Sequence, residues 1–176
     1  KNEAGRSHND GSQHQATERR RRAALRDNPL CRGEAMRLKR TPADHWFSRC
    51  VRIRADFTCQ GCGKSYEENS MGLHCSHYFG RAKKGVRYDA MNAFAHCYGC
   101  HQRFGSNPDY FYRHYVDTYG EGALEILREK VEDIFLGKRM NKEAKEIAKH
   151  YKAEAARMEN DRAAGVAGWL EFVSWD

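Results

Sequence analysis

The sequence predicts an α+β fold, a small core of two strands and a helix flanked by further α-helices, and three observations carry that prediction. The cysteines include two C-x-x-C pairs, Cys59/Cys62 and Cys97/Cys100. Two short stretches, "MGLHCSHYF" and "NAFAHC", alternate as strands do. Several longer stretches repeat their apolar residues at the helical period. With 176 residues there is room for one domain with extensions. The formal net charge of +7 favours a polyanionic partner, nucleic acid before membrane. No apolar run is long enough to span a bilayer, and no signal-peptide pattern is present. The chain opens on "KNEAGRSH" with no methionine, which leaves a preceding segment open.

In chain order, residues 1–40 are polar and unpatterned and are expected to form a flexible arm. Arg19, Arg20, Arg21 and Arg22 are its densest charge. Such a run is as a rule a solvated face; beside a nucleic-acid core a phosphate-contacting arm is an equal alternative. At "TPADHWFSRCVRIRADF" a helix begins, with Thr41 as N-cap and Pro42 in the first turn. Ala43, Phe47, Cys50 and Val51 share its apolar face; Arg49, Arg52 and Arg54 face elsewhere and are expected within reach of phosphate. After the first strand comes a basic loop, "RAKKGVRY", then the second strand. A helix is expected from about Cys97, with a pause at "GSNPD" and a resumption through "YFYRHYVDTYG". The stretch "EGALEILREKVEDIFLG" reads as one helix ending at Gly137, and a last helix opens at Asn141. This divides the chain into an arm (1–40), a core with flanking helices (41–137), and a C-terminal helix with a tryptophan-containing tail (138–176).

Four thiolates in two tight turns make the tetrahedral closed set of structural zinc, with Gly61 and Gly99 relieving the turns. Seven cysteines is an odd count, which suits a metal site in a reducing compartment better than a disulfide framework. His74 and Cys75 are competing ligands, although a strand cysteine is more often a small buried residue. A closed zinc has no open position for water, so any chemistry falls to other residues. His77 ends the first strand, Asn92 opens the second, and His101 follows the last zinc cysteine. The zinc frame should bring these three to one point.

In these residues the sequence resembles the HNH (His-Me finger) nucleases, whose fold is the ββα-metal unit. It is more closely similar to the NinG-type (Rap) recombination nucleases of lambdoid phages. The likeness lies in "FSRCVRIRADFTCQGCG", "HCSHYFGRAKKGVRYDAMNAFAHCYGCHQRFGSNPDYFYRHYVDTYG" and "KRMNKEAKEIAKHYKAEAARM", roughly residues 41–160. It implies a DNA endonuclease acting on branched recombination intermediates such as Holliday junctions and D-loops, in the cytoplasm of a bacterial host. It implies His77 as general base, Asn92 as the residue that orients it or pins the loop, and His101 as ligand of a catalytic Mg²⁺ or Mn²⁺. Arg81, Lys83, Lys84 and Arg87 would clamp phosphates. Symmetric cutting of a four-way junction would suggest a homodimer. Many HNH nucleases carry an aspartate just before the base histidine; here Ser76 stands there. Asp89 and His74, and less readily His96, are then the candidates for a second protein ligand. The competing reading is a non-catalytic zinc-stabilised module that binds DNA or protein.

Overall fold

The structure, a computed structural model, describes residues 39–175, which belong to one compact unit. The arginine run Arg19–Arg22 and Cys31 lie outside the described residues. Among those residues the fold is α+β: six α-helices and a two-stranded antiparallel sheet.

Helix α1 (Pro42–Arg54) starts at a full capping box. Thr41 accepts from Asp44 N, and Asp44 accepts in turn from Thr41 N at 2.7 Å. Its buried face is the expected one, Ala43, Phe47, Cys50 and Val51, extended by Ile53. Strands β1 (Leu73–His77) and β2 (Ala93–Cys97) pair from Leu73 opposite Cys97 to His77 opposite Ala93. Two short 3₁₀ turns, Lys84–Val86 and Ala90–Asn92, lie on the connection between them. Helix α2 (Tyr98–Ser106) leaves β2 directly. Asn107 caps α3 (Pro108–Tyr119), where proline again occupies the first turn.

The stretch read as one helix to Gly137 is two. Helix α4 (Glu121–Glu132) stops where the Asp133 side chain accepts from Phe135 N and Leu136 N and so caps α5 (Ile134–Lys142). An aspartate can restart a helix in a new direction by satisfying its first free N–H groups, and α5 then runs through Gly137 without a break.

Helix α6 (Ala144–Ala163) buries Ile147, Tyr151, Ala155 and Met158 and packs along α1, which also rests on both strands. A boundary at residue 138 therefore has no structural counterpart: it falls inside α5, and the last helix adds Ile147, Tyr151, Ala155 and Met158 to the same core. The tail docks too. Leu170 N donates to Arg54 O, Trp175 N to Tyr151 Oη and Trp175 Nε1 to Glu143, while Ser174 Oγ accepts from Ala90 N. Arg54 is 1 % exposed. It lies over the rings of Trp169 and Phe172 and donates to Ala90 O and Ala93 O. Far from meeting phosphate, it ties the tail to the entry of β2. Arg49 is likewise paired internally, with Glu68 and Glu159.

Candidate active site and metal centre

The four sulfur atoms of Cys59, Cys62, Cys97 and Cys100 all lie within 4.8 Å of one another. Cys62 Sγ and Cys97 Sγ are 3.8 Å apart, far beyond a disulfide bond. Four thiolates at zinc–sulfur bonds of about 2.3 Å have edges of about 3.8 Å, so the spacing fits. Backbone donors suit thiolates as well: Cys97 N donates to Cys59 Sγ at 3.1 Å and Cys100 N to Cys97 Sγ at 3.4 Å. Burial raises the Cys97 thiol, but the Cys100 N–H and the neighbouring sulfurs pull it down to about 6. Burial and those same neighbours push Cys100 up to about 12, a penalty that a bound cation removes. These four cysteines could hold a structural metal such as zinc. Gly61 is required by close approach, since a Cβ there would stand 2.9 Å from both Cys100 Sγ and the Phe104 ring. Gly99 faces no such crowding and does not have the role the sequence suggested.

Cys75 and His96 stand apart from this cluster. Burial keeps the Cys75 thiol neutral, pushed up to about 12. His96 is fully buried, stacked on Phe94 and Phe104, with Nε2 3.2 Å from His114 Nε2. It packs the core and does not face the cleft.

A cleft of about 270 Å³ opens between α1, β1 and α2, lined by His74, Cys75, His77, Arg81 and His101 together with Arg40, Asp44 and Ser48. His77 is half-buried and its ring packs 5.8 Å from that of Phe47. Its Nε2 lies 3.0 Å from Arg87 O. A carbonyl oxygen only accepts, so Nε2 carries the proton and Nδ1 is the ring's acceptor. Burial drives the His77 pKa down to about 4, against a smaller upward pull from the Arg87 carbonyl. The imidazole is therefore neutral at physiological pH.

Arg87 is in place because it is spent. Its guanidinium forks onto Asp44, Nε to Oδ1 at 2.8 Å and Nη2 to Oδ2 at 2.6 Å, with both residues nearly out of solvent. Burial alone would raise the Asp44 carboxyl, but Arg87 and the Thr41 backbone hold it below its ordinary value. Arg87 is thus removed from the set of phosphate clamps, and it acts through its carbonyl on His77.

Asn92 is fully buried. Its Oδ1 accepts from Phe79 N at 2.8 Å, and its Nδ2 donates to Phe79 O at 3.0 Å and Val86 O at 2.7 Å. It closes the ends of the loop that returns from β1 to β2. Of the two roles the resemblance allowed, loop pinning is the one this geometry displays.

The His74 and His101 rings face each other across the cleft, centroids 5.7 Å apart. Burial, then His74 and Arg81, lower the His101 pKa, which keeps it a neutral donor. Asp89 is not with them. It is buried, accepts from Met91 N at 2.9 Å and pairs with Lys130 Nζ at 2.7 Å. An aspartate capping a 3₁₀ turn and neutralised by a lysine is not free for a metal in this cleft. Ser76, opposite Phe94 and 1 % exposed, does not line the cleft either. His74 alone of the candidate second ligands stands beside His101. Two imidazoles fit a borderline first-row divalent ion better than Mg²⁺, which prefers oxygen.

Arg81 lines the cleft and makes no ion pair among the described residues. Lys83 and Lys84 are exposed and face a different groove, against α5. Sequence reasoning missed Arg40, Asp44 and Ser48 as cleft walls. Only Asp44 carried a signal, as the carboxylate three residues after the cap. No protein-family model, curated protein or solved structure matches the chain. No described helix is long and apolar enough to cross a membrane.

Proposed function

We propose that the chain is a metal-dependent DNA endonuclease of the HNH type, akin to the NinG-type nucleases, hydrolysing phosphodiester bonds in branched DNA. The observation that supports it best is the anchoring of His77: its proton is fixed on Nε2 by Arg87 O, at the edge of a cleft shared with two further imidazoles and with Arg81, which has no ion pair among the described residues. His77 Nδ1 takes a proton from the water whose oxygen attacks phosphorus. As the water oxygen bonds to phosphorus the phosphorus–O3′ bond breaks, and O3′ takes up a proton from solvent water, leaving a 5′-phosphate and a 3′-hydroxyl. Arg81 binds the non-bridging oxygens. A histidine with a pKa near 4 is a weak base, but an anionic phosphodiester beside it raises that value toward neutrality. His74 and His101 would hold the divalent ion, which when bound stabilises charge on the phosphate and the departing oxygen.

A second reading, a DNA-binding module without catalysis, is favoured by one feature: among the described residues the one carboxylate lining the cleft, Asp44, is committed to Arg87. The test is end-labelled duplex, single-stranded and branched DNA incubated with the full chain and Mn²⁺ or Mg²⁺. The proposal expects cutting of the branched DNA, faster with Mn²⁺. Retention of DNA with no cutting under either metal selects the second reading.

A further inference from the structure

The most solvent-exposed apolar pair next to a cationic surface is Ile134 and Phe135, 68 % and 75 % exposed on the first turn of α5. They are held, not loose. Asp133 accepts from Phe135 N at 2.8 Å and Leu136 N at 3.0 Å, and the next residue, Leu136, packs inward on the core. The basic loop lies close alongside. A Cβ on Gly85 would stand 2.5 Å from Lys130 O and 3.4 Å from Leu136, and a Cβ on Gly137 only 3.6 Å from Lys84 Cβ. Glycine at 85 is what lets the loop come this near. The result is a groove of about 260 Å³ whose walls include Lys83, Lys84, Lys138 and Ile134, and Lys138 Nζ sits 5.7 Å from the centroid of the Phe135 ring. The same loop carries Arg81 to the histidine cleft.

Exposed apolar side chains on a capped helix start, beside lysines, match the chemistry of a DNA base step flanked by phosphates. Apolar wedges enter where bases can be unstacked, and cations fix the backbone around them. The one acidic wall residue, Asp133, is engaged by backbone N–H groups. We infer that Ile134 and Phe135 form a wedge that inserts at a disrupted base step while Lys83, Lys84 and Lys138 hold the adjoining phosphates. This face then selects branched over continuous DNA. The inference rests on the DNA-directed reading above and adds to it the feature that recognises a branch.

The experiment uses the full chain without added divalent ion, so that binding is read apart from cutting. A three-way junction carrying 2-aminopurine at the branch is compared with a matched duplex. The wild type should bind the junction more than about tenfold tighter than the duplex and raise the 2-aminopurine fluorescence as the base unstacks. The double variant Ile134→Ala/Phe135→Ala should keep its duplex affinity and lose both the preference and the fluorescence rise. Lys83→Ala/Lys84→Ala should weaken both ligands alike and reduce the slope of log K against log salt by about 2. Both sites are exposed, so folding is not at stake. A double variant that keeps the preference and the fluorescence rise overturns the wedge and leaves the DNA reading standing. A wild type that binds neither DNA removes the reading beneath it. Conversion of a dimer to a monomer by Phe135→Ala, seen by sedimentation, would assign the face to a second copy of the chain and overturn the wedge as well.

Discussion

Replacing Asn92 by alanine should cost the fold about 3 kcal/mol and disable the cleft without touching it. The side chain satisfies three backbone groups at 2.7–3.0 Å: Phe79 N–H, Phe79 C=O and Val86 C=O. Each such bond contributes about 0.5–1.5 kcal/mol net, and a buried group left unpaired costs at the upper end of that range or above. Three bonds around a fully buried residue give about 3 kcal/mol. In a unit of this size that is a drop in Tm of about 10 °C. The functional effect follows from what the loop carries. Arg87, whose carbonyl fixes His77, lies between the Val86 and Asn92 anchors, so a loosened loop frees the imidazole to rotate. Thermal and urea unfolding of Asn92→Ala should show this loss, and any cleavage activity should fall with it. Asn92→Asp keeps the shape and the acceptor for Phe79 N–H but sets a carboxylate against two carbonyls, so it should not rescue. A loss below about 1 kcal/mol for Asn92→Ala would mean that the three bonds carry no net weight and that Asn92 does not hold the loop.

Elemental analysis should find one tightly held zinc per chain, and Cys97→Ser should lose it and unfold the segment around the two C-x-x-C turns, because such sites couple metal binding to folding. Arg87→Met leaves the Asp44 carboxylate buried and unpaired and should cost about 3–5 kcal/mol by denaturant unfolding; Asp44→Asn combined with it should recover part of that loss. The folded-state pKa of His77, depressed from 6.5 to about 4, means that its contribution is present above pH 6.5 and is lost as pH falls toward 4. Between pH 7.5 and pH 5 the wild type should therefore lose about 2 kcal/mol more stability than His77→Gln. Removal of residues 1–40 should weaken DNA binding and flatten its salt dependence, because arginine–phosphate contacts release counterions.

Much of the site was legible because it rests on local spacing. The two C-x-x-C pairs, the strands on either side of the basic loop, and a histidine next to the last cysteine are all signals within a few residues, and the structure places each where its spacing requires. What stayed hidden depends on partners distant in sequence. Nothing near Arg87 announces Asp44, and nothing near Asp89 announces Lys130, so both looked free for phosphate or metal. Arg54 read as a surface cation because its partners are two carbonyls at the start of β2 and two rings of the tail. The break at Asp133 was masked by helical periodicity that continues across it. The tail itself has no pattern, since its residues dock singly onto α1, α6 and the loop before β2.

Whether His77 is the base of a cutting site or a structural residue is decided by one paired measurement. Branched DNA is incubated with Mn²⁺ and either the wild type or His77→Ala, with zinc content and junction affinity measured on the same preparations. His77 as the base requires cutting by the wild type and a fall of about two to four orders of magnitude in the variant, with zinc and affinity unchanged. A variant that cuts at the wild-type rate, or that loses its zinc, contradicts it.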